Sequence, residues 1–429
     1  MTNIKRIRLD ADGLITQDQQ GRMQRFALSP CEIQSVKRDP GWYLSTLSNR
    51  PGWSPDFLSE GRLAARFEVA DEKADCLSRP LRIYYGIEPR CNLQCNGCGP
   101  RDLKSTFVPA TPEFESFLLK EIAGAGAFQV QLTGGEIIVR GYRLLETLDE
   151  IRELGLAVIL ATNGVWRCVD RRDEFLRRLA EYDNIIQTNI SIDGTPESHD
   201  YLRGRGTYAE AIATLAKLSE YGLKPRINAT IVRSTCNFLE LGHLLCLAQQ
   251  YDAKLQLIPI RLAGRASGHR EDMPSKDSLR EYTEQATKLR ATTGVPISFN
   301  FDVFDGGVHV PKFDLHRPIS CGAPLWGVHL THHGEVYACG FAQAVNDNRQ
   351  FMAGRVDAEN RLVDIWLNSN VLRRIRLAGK SAQCSACEDY GRGCWGGCWV
   401  AAWVDSGNTG GMDPYCFKET RQFATRTSQ

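Results

Sequence analysis

The sequence predicts an α/β protein in which helices pack outside a parallel β-sheet. Apolar, β-branched runs alternate with segments of helical periodicity six times in the middle of the chain. Repeated strand–helix units of this kind are typical of parallel sheets. At 429 residues, the chain is long enough for two or three domains. The alternation alone leaves open whether the sheet is open or curved.

The predicted strands and helices follow one another along the chain. The strands cover residues 82–88, 130–133, 157–162, 185–192, 227–232 and 255–260. The helices cover residues 113–123, 144–154, 174–181, 209–221, 238–251 and 278–292. The first helix is the clearest, because Thr111 is a good cap and Pro112 suits the first helical position.

Composition and charge exclude several classes of partner. The formal net charge of +1 gives no reason to expect nucleic acid or an anionic membrane as a partner. No apolar run is long enough to span a bilayer, and the first residues lack the apolar core of a signal peptide. We therefore expect a cytoplasmic protein. In that reducing compartment, fifteen cysteines indicate metal or redox chemistry rather than disulfides.

Three cysteines form a C-x3-C-x2-C run directly after the first predicted strand: Cys91, Cys95 and Cys98. A cubane iron–sulfur cluster normally takes four thiolates, so three on one loop would leave one iron open to another molecule. Zinc usually takes four ligands, often as two C-x2-C pairs. The run therefore favours a cluster, with part of a zinc site or three unrelated buried thiols as the alternatives.

A second, denser set of seven cysteines lies towards the C-terminal end. Its members are Cys321, Cys339, Cys384, Cys387, Cys394, Cys398 and Cys416. Pairs alone could form a zinc ribbon, but seven in this order, downstream of the triplet, make zinc a poor explanation. The other five, Cys31, Cys76, Cys168, Cys236 and Cys246, are predicted to be mostly buried small apolar residues.

Together the two cysteine sets resemble the radical S-adenosylmethionine (SAM) superfamily and the SPASM domain of many of its peptide-modifying members. The resemblance implies a partial (β/α)6 TIM-like barrel at 81–305, a SPASM domain at 306–429 and a small N-terminal extension at 1–80. It implies three [4Fe–4S] clusters, one that binds SAM and two auxiliary ones. In the family, the open iron chelates SAM, and cleavage of SAM yields a 5′-deoxyadenosyl radical that abstracts a hydrogen atom from the substrate.

Motifs at the predicted strand ends are similar to the positions that bind SAM in this family. The amino group of SAM would lie at a Gly-Gly-Glu element, and its ribose and carboxylate at hydroxyl, amide, carboxylate and guanidinium groups. The residues concerned are Gly134, Gly135, Glu136, Asn163, Ser191, Asp193 and Arg203. For each one alone, a capping or turn role is the alternative. The run Gly264-Arg265-Ala266 resembles a further family element near the adenine.

The sequence departs from the family pattern in three places. Gly97 occupies a position that is commonly aromatic, which puts the adenine contacts in doubt, and Ile137 replaces a frequent proline. The gap from Cys387 to Cys394 has six residues instead of the usual five.

The resemblance also implies how the second cysteine set divides between two auxiliary clusters. The outer cluster would be held by Cys384, Cys387, Cys394 and Cys416, and the inner one by Cys321, Cys339 and Cys398. No fourth inner cysteine precedes Cys321 or lies before Cys339. The hypothesis is therefore an open inner site, with Asp314 or His316 as ligand as the alternative.

Residues 1–80 carry no informative motif. Residues 4–9, 14–16 and 24–28 are predicted as short strands, followed by helical stretches broken at Pro40 and Pro51. This order is compatible with the winged-helix module that grips a leader peptide in some relatives. The alternative is a simple extension packed on the barrel.

The resemblance implies an oxidoreductase that modifies its substrate oxidatively. The first hypothesis is crosslink or thioether formation in a ribosomally made peptide. The alternatives are formylglycine formation in a sulfatase, and dehydrogenation or epimerisation of a sugar-like molecule. The implied partners are a peptide or small protein substrate and a reductant such as flavodoxin or ferredoxin. Asp302 and Asp305 are candidate general bases, with a solvated turn as the alternative.

Overall fold

A computed structural model gives the architecture of the chain. It describes residues 79–80, 82–98, 108–127, 129–166, 172–299, 323–324, 327–378, 381–387 and 396–416. It also describes the backbone of residues 4–10, 13–18, 23–27 and 68–69.

A ten-stranded sheet forms the centre of the molecule. The strands of the chain are β1 Ile4–Asp10, β2 Gly13–Asp18, β3 Met23–Ala27, β4 Glu68–Val69, β5 Arg82–Glu88, β6 Gln129–Gly134, β7 Ala157–Thr162, β8 Ile185–Ser191, β9 Pro225–Ile231, β10 Lys254–Pro259, β11 Ile297–Phe299, β12 Gly327–Thr331, β13 Glu335–Tyr337 and β14 Met352–Arg355. The order in the large sheet is β11-β10-β9-β8-β7-β6-β5-β12-β13-β14, and the strands from β5 to β11 are all parallel. The α/β class with a parallel sheet is confirmed.

Helices lie between successive strands. They are α1 Pro112–Gly124, α2 Arg143–Glu153, α3 Arg172–Leu179, α4 Pro196–Arg203, α5 Thr207–Glu220, α6 Phe238–Gln250, α7 Lys276–Thr293, α8 Gly340–Ala344, α9 Leu362–Asn368, α10 Asn370–Arg376, α11 Ala382–Ser385 and α12 Trp399–Ser406. The predicted cap of α1 is present, since the Phe114 N–H donates to Thr111 Oγ1 at 3.3 Å. Side chains of Asn237 and Ser275 cap α6 and α7 in the same way. Every helix predicted from periodicity is found within about two residues of its expected bounds, whereas α4 and the helices from α8 to α12 were not predicted.

The C-terminal region extends the large sheet instead of forming a separate one. Strand β12 pairs in parallel with β5, with Val328 opposite Ile83, and β13 and β14 follow as antiparallel neighbours. A Cβ at Gly327 would lie 2.2 Å from the backbone oxygen of Arg82, so a glycine permits this close approach. Sequence patterning did not predict this pairing.

The two faces of the large sheet differ in chemistry. Ile83, Tyr85 and Ile87 of β5 are fully buried in a core that includes Leu118 and Leu119 of α1. The alternate residues point to the opposite face, because successive side chains of a strand alternate. We call this opposite face the inner face. It carries mainly polar residues: Arg82, Tyr84, Gln131, Asn189, Arg226, Asn228, Gln256 and Ser298.

The N-terminal strands form a small sheet of their own. Its order is β3-β2-β1-β4, with β1, β2 and β3 antiparallel neighbours and β4 parallel to β1. The three strands predicted in this region are present. The stretches around Pro40 and Pro51 lie outside the described residues, and a leader-binding role stays a prediction.

Membrane insertion through a helix finds no support in the described part of the chain. None of its helices is both long and apolar enough to cross a bilayer.

Candidate active site

The cysteine triplet lies at the edge of the sheet where the parallel strands end. Cys91, Cys95 and Cys98 form a loop that follows β5, and all three are half-buried. Ends of neighbouring parallel strands meet at one edge, which is where α/β barrels carry their chemistry. The loops after β6, β7 and β8 therefore surround the cysteine loop.

The two glycines after β6 pack directly against the backbone that leads into the cysteine loop. Gly134 has a φ of +133°, and a Cβ there would lie 2.3 Å from the Glu88 oxygen. The Gly135 N–H donates to that oxygen at 2.6 Å, and a Cβ on Gly135 would lie 2.2 Å from the Arg90 oxygen. Only glycine fits at these two positions. The Gly-Gly pair thus fixes the start of the cysteine loop.

Glu136 joins the start of the cysteine loop to the end of β7, since its backbone N–H donates to the Arg90 oxygen at 2.8 Å. Its carboxylate accepts hydrogen bonds from Ile138 N–H at 3.0 Å, Thr162 Oγ1 at 2.7 Å and Asn163 N–H at 2.6 Å. The side chain is 2% exposed, and burial raises its pKa. These donors belong to the protein, so the geometry gives Glu136 a positioning role. Contact of Glu136 with SAM stays a prediction.

Two asparagines join the cysteine loop to the segment after β7. The Asn163 side chain donates to Asn92 Oδ1 at 2.8 Å and to Cys91 Sγ at 3.9 Å, and accepts from Val165 N–H at 2.8 Å. Asn92 donates in turn to the Val165 oxygen at 2.6 Å. Sequence analysis selected Asn163 but missed Asn92, whose place inside the C-x3-C run was the available signal.

The far side of the loop is held by the C-terminal end of α4 and by the segment after β10. Asn96 donates to the oxygens of Leu202 and Tyr201 at 2.8 and 3.0 Å, and Arg265 N–H donates to the Cys98 oxygen at 3.0 Å. Gly97 has a φ of +71°, and a Cβ there would lie 3.3 Å from Ile260 Cδ1. The left-handed backbone gives a physical reason for glycine where an aromatic residue is more usual.

Asp193 and Arg203 form a buried ion pair beside the cysteines. Arg203 Nε lies 2.5 Å from Asp193 Oδ2, and the Thr230 N–H donates to Asp193 Oδ1 at 2.8 Å. Burial raises the pKa of Asp193, but Arg203 outweighs it and holds the pKa below its usual range. The pKa of Arg203 is raised: burial opposes this, whereas Asp193 and the nearby Cys95 and Cys98 favour the charged form. The ion pair therefore places a positive charge next to the loop.

The donor set of the loop fits an iron–sulfur cluster. Burial raises the pKa of Cys91 to about 11, and its sulfur accepts the Leu93 N–H at 3.4 Å. The three sulfur atoms do not all lie within 4.8 Å of one another, whereas thiolates on one zinc ion are about 3.8 Å apart. Thiolates that bind different irons of a cubane are spaced more widely. Soft thiolate ligands suit iron–sulfur chemistry.

The remaining predicted SAM contacts have defined local roles. Ser191 ends β8 and is half-buried. The nearby Asp200, which was not among the predicted contacts, accepts hydrogen bonds from Gly206 N–H and Tyr208 N–H at 2.6 and 2.8 Å.

The second cysteine set is partly described. The charges of Cys339 and Cys398 influence one another, and burial raises the pKa of Cys339 to about 12. Asp413 accepts from Cys398 N–H at 2.6 Å and pairs with Arg261 at 3.4 Å. Arg261 and Asp413 link this set to the end of β10. Sequence analysis did not find this link, and no local motif marks Asp413.

Several predicted cluster ligands and both candidate general bases lie outside the described residues. These are Cys321, Cys394, Asp314, His316, Asp302 and Asp305. Cys384 lies in α11, and the Cys387 N–H donates to its backbone oxygen at 3.0 Å. The division of cysteines between inner and outer clusters stays a prediction.

The structure describes two of the five other cysteines, which were predicted to be mostly buried. Cys236 is buried as expected, but Cys246 is exposed, because it points away from the core on α6, whose buried residues include Leu244, Leu245 and Leu247. Cys31, Cys76 and Cys168 lie outside the described residues.

Comparison with known proteins places two domains on the chain. The family described as "Radical SAM superfamily" matches residues 86–234, and SPASM, described as "Iron-sulfur cluster-binding domain", matches residues 321–389. The chain is 28% identical to mycofactocin maturase MftC of Mycobacterium tuberculosis over 352 residues, 79% of this chain and 83% of that protein. It is 25% identical to PqqA peptide cyclase of Methylorubrum populi over 361 residues, 81% of this chain and 87% of that protein.

A solved structure shares the fold. Streptococcus suis SuiB bound to precursor peptide SuiA superposes with a TM-score of 0.71 at 16% identity, over 96% of this chain and 99% of that chain.

Proposed function

Because this chain belongs to the radical SAM superfamily and carries a SPASM domain, we propose that it cleaves SAM reductively and oxidatively modifies a ribosomally made peptide. The observation that carries the first part is the cysteine loop, which is fixed by the Gly-Gly pair after β6. The second part is supported by the relatives, whose names describe a maturase and a peptide cyclase. The bond formed is a crosslink or thioether.

The residues of the site have separate roles in the proposed reaction. Cys91, Cys95 and Cys98 hold the SAM-binding cluster, which supplies the electron for SAM cleavage when bound. Gly134 and Gly135 bring backbone groups to the edge of that site. The Arg203 guanidinium provides a positive charge next to the cysteines, which stabilises thiolate ligands.

The auxiliary clusters fit an oxidative outcome. The buried Cys339 and Cys398 lie close enough for their charges to interact, and Arg261 is near both. Cys339 and Cys398 would help to hold an auxiliary cluster, which would supply an electron acceptor when bound. The external reductant is proposed to be a flavodoxin or ferredoxin.

The two alternatives are not favoured. Formylglycine formation in a sulfatase and dehydrogenation or epimerisation of a sugar-like molecule both lack support in the names of the relatives given above. A gene for a short peptide beside this gene would agree with the proposal.

The first experiment is anaerobic reconstitution followed by iron, sulfide and 5′-deoxyadenosine analysis. About twelve irons are expected for three cubane clusters, with 5′-deoxyadenosine formed from SAM and a reductant. Cys95→Ala should abolish 5′-deoxyadenosine, whereas the matched Cys236→Ala, at a buried cysteine away from the loop, should retain it. Four irons, or zinc in the C-terminal region, would overturn the assignment.

We also propose that Asp302 or Asp305 takes a proton from the substrate. Replacement of each by Asn should leave 5′-deoxyadenosine formation intact and block product formation. Normal product from both variants would overturn this role.

A further inference from the structure

Two arginines stand on the inner face at the ends of the strands farthest from the cysteine loop. Arg82 begins β5 and Arg226 lies at the start of β9. Both side chains are half-buried. Ile83 and Ile227, their neighbours in sequence, are fully buried in the core. Alternation along the strands therefore directs both arginines away from the helices.

Neither arginine has an acidic partner. Arg82 Nε and Nη2 donate to Gln129 Oε1 at 2.9 and 2.6 Å, and Arg226 Nε donates to Asn228 Oδ1 at 3.2 Å. Among the residues that the structure describes, no carboxylate oxygen lies within 4.0 Å of either guanidinium.

Three buried arginines of this protein are paired with acidic side chains. Arg140, Arg203 and Arg261 each pair with a carboxylate, of Glu115, Asp193 and Asp413 respectively. Charged side chains are rarely buried unless they are paired. The two arginines of the inner face differ from these three, since no carboxylate of the described residues pairs with them.

The surroundings of the two arginines present further donors. Burial lowers the pKa of Arg226 to about 10, and the charge of Arg82 adds to this effect. Lys254 is opposite Arg226 in the strand register, and so is Asn189. Registered residues of parallel strands share a face. Asn189 is 1% exposed, yet its Nδ2 has no hydrogen-bond partner.

We propose that Arg82 and Arg226 bind a carboxylate of the substrate peptide on the inner face. This inference rests on the proposed peptide-modifying function and adds a substrate feature to it. A planar guanidinium binds a carboxylate through two parallel hydrogen bonds. The free Nδ2 of Asn189 supplies another donor. An acidic side chain and a free C-terminus are the two sources of such a group.

The position of this site limits which residue is modified. Thr230, whose N–H contacts Asp193 beside the cysteine loop, lies four residue steps along β9 from Arg226. At 3.3 Å per residue, this is about 13 Å. An extended peptide covers about 3.3–3.6 Å per residue. The modified residue should therefore lie within about four residues of the bound carboxylate.

The first test measures carboxylate binding without any knowledge of the peptide. The melting temperature of the reconstituted holoenzyme would be followed with glutarate, with the uncharged glutaramide, and with chloride at equal ionic strength. Glutarate alone should raise it, because a ligand that binds only the folded state stabilises that state. Arg226→Gln should abolish this rise, and Arg226→Lys should weaken it. The matched control is Arg280→Gln, at an exposed arginine paired with Asp277.

The same measurement separates binding from a structural role. Without ligand, Arg226→Gln should melt at a higher temperature than wild type, because it removes a half-buried charge that has a hydrogen bond to Asn228 but no carboxylate partner among the described residues. A lower melting temperature, or an equal glutarate shift in wild type and Arg226→Gln, would overturn the proposal.

A second test distinguishes the two sources of the carboxylate. A mixed hexapeptide library would be equilibrated with the holoenzyme in two forms, with free and with amidated C-termini. Charge-assisted hydrogen bonds correspond to enrichment of about tenfold or more. Enrichment of Asp and Glu over Asn and Gln in both forms indicates a side chain. Enrichment of the free C-terminus alone indicates the terminal carboxylate. Enrichment of neither, or enrichment unchanged in Arg82→Gln and Arg226→Gln, would overturn the proposal.

Failure here is distinct from failure of the proposed function. 5′-deoxyadenosine formation and iron content depend on the cysteine loop, which lies at the other end of the strands. An enzyme that cleaves SAM but shows no carboxylate preference would overturn only the arginine site.

Discussion

At the scale of single residues, backbone contact around the cysteine loop determines which side chains are tolerated. Gly134 and Gly135 touch the backbone of Glu88 and Arg90 at distances that no Cβ could share. The resemblance of the Gly-Gly-Glu run to a SAM-binding element indicated a role in SAM binding for these glycines. It did not indicate that the two glycines also fix the cysteine loop, because that contact joins segments more than forty residues apart.

Gly135→Ala should displace the cysteine loop and remove one cluster. The added Cβ would lie 2.2 Å from the Arg90 oxygen, so the backbone on one side has to move. Iron content should fall from about twelve to about eight per chain, and 5′-deoxyadenosine formation should be lost. Gly242→Ala is the control, since a Cβ there meets nothing within 4 Å. An active Gly135→Ala enzyme with full iron would contradict this reading.

His199 should make stability depend on pH below neutrality. The side chain is fully buried, its Nδ1 accepts the Asp193 N–H at 3.2 Å, and burial lowers its pKa to about 4. Between that value and about 6.5, the unfolded chain binds a proton that the folded chain excludes. Stability is therefore greatest above pH 6.5 and falls as the pH is lowered, by about 1 kcal/mol for this group between pH 7 and 5.5.

Urea unfolding at the two pH values checks the His199 effect. Between pH 7 and 5.5, the free energy of unfolding of the wild type should fall by about 1 kcal/mol more than that of His199→Gln. Burial also lowers the pKa of His329 to about 4. The free energy of unfolding of the His199→Gln variant should therefore still decrease in part as the pH is lowered. Equal losses in both proteins would exclude the contribution of His199.

At the scale of elements, the strands and helices of the parallel sheet were predictable because their signals are local. Alternation, periodicity and the Thr111 cap all lie within a few residues of the element that they specify. The pairing of β12 with β5 has no such signal, since Gly327 and Arg82 are far apart in sequence. The link between Arg261 and Asp413 was missed for the same reason.

Asp413→Asn should loosen the auxiliary cysteines while sparing the cysteine loop. Asp413 accepts from the Cys398 and Tyr415 N–H groups and pairs with Arg261, and loss of one partner from a buried ion pair costs about 3–5 kcal/mol. The expected result is a lower melting temperature and fewer auxiliary irons, with 5′-deoxyadenosine still formed. Asp405→Asn, at an exposed pair with Arg270, is the control. Loss of 5′-deoxyadenosine with full iron would contradict the assignment.

At the scale of the whole molecule, the SPASM segment and the parallel strands share one sheet. Strand β12 covers the edge of β5 that β6 leaves free. Sequence resemblance predicted two neighbouring domains, with a boundary near residue 305, but a shared sheet could not be read from cysteine spacing. The boundary itself stays a prediction.

A chain shortened to end at residue 322 should not behave as an independent barrel. Removal of β12 exposes the backbone groups along β5, and an open strand edge promotes association. Size-exclusion chromatography should show aggregates, whereas the full chain should elute as one species. A monomeric, stably folded fragment would show that the β12 pairing is dispensable.

The β5–β12 pairing also has a consequence for synthesis. A ribosome completes β5 about 240 residues before it reaches β12, which takes roughly 12–50 s at typical elongation rates. The cysteine loop that follows β5 is therefore exposed beside an unfinished sheet during most of translation. The first cluster site is therefore synthesised long before the sheet can close, which requires the chain to pass residue 331.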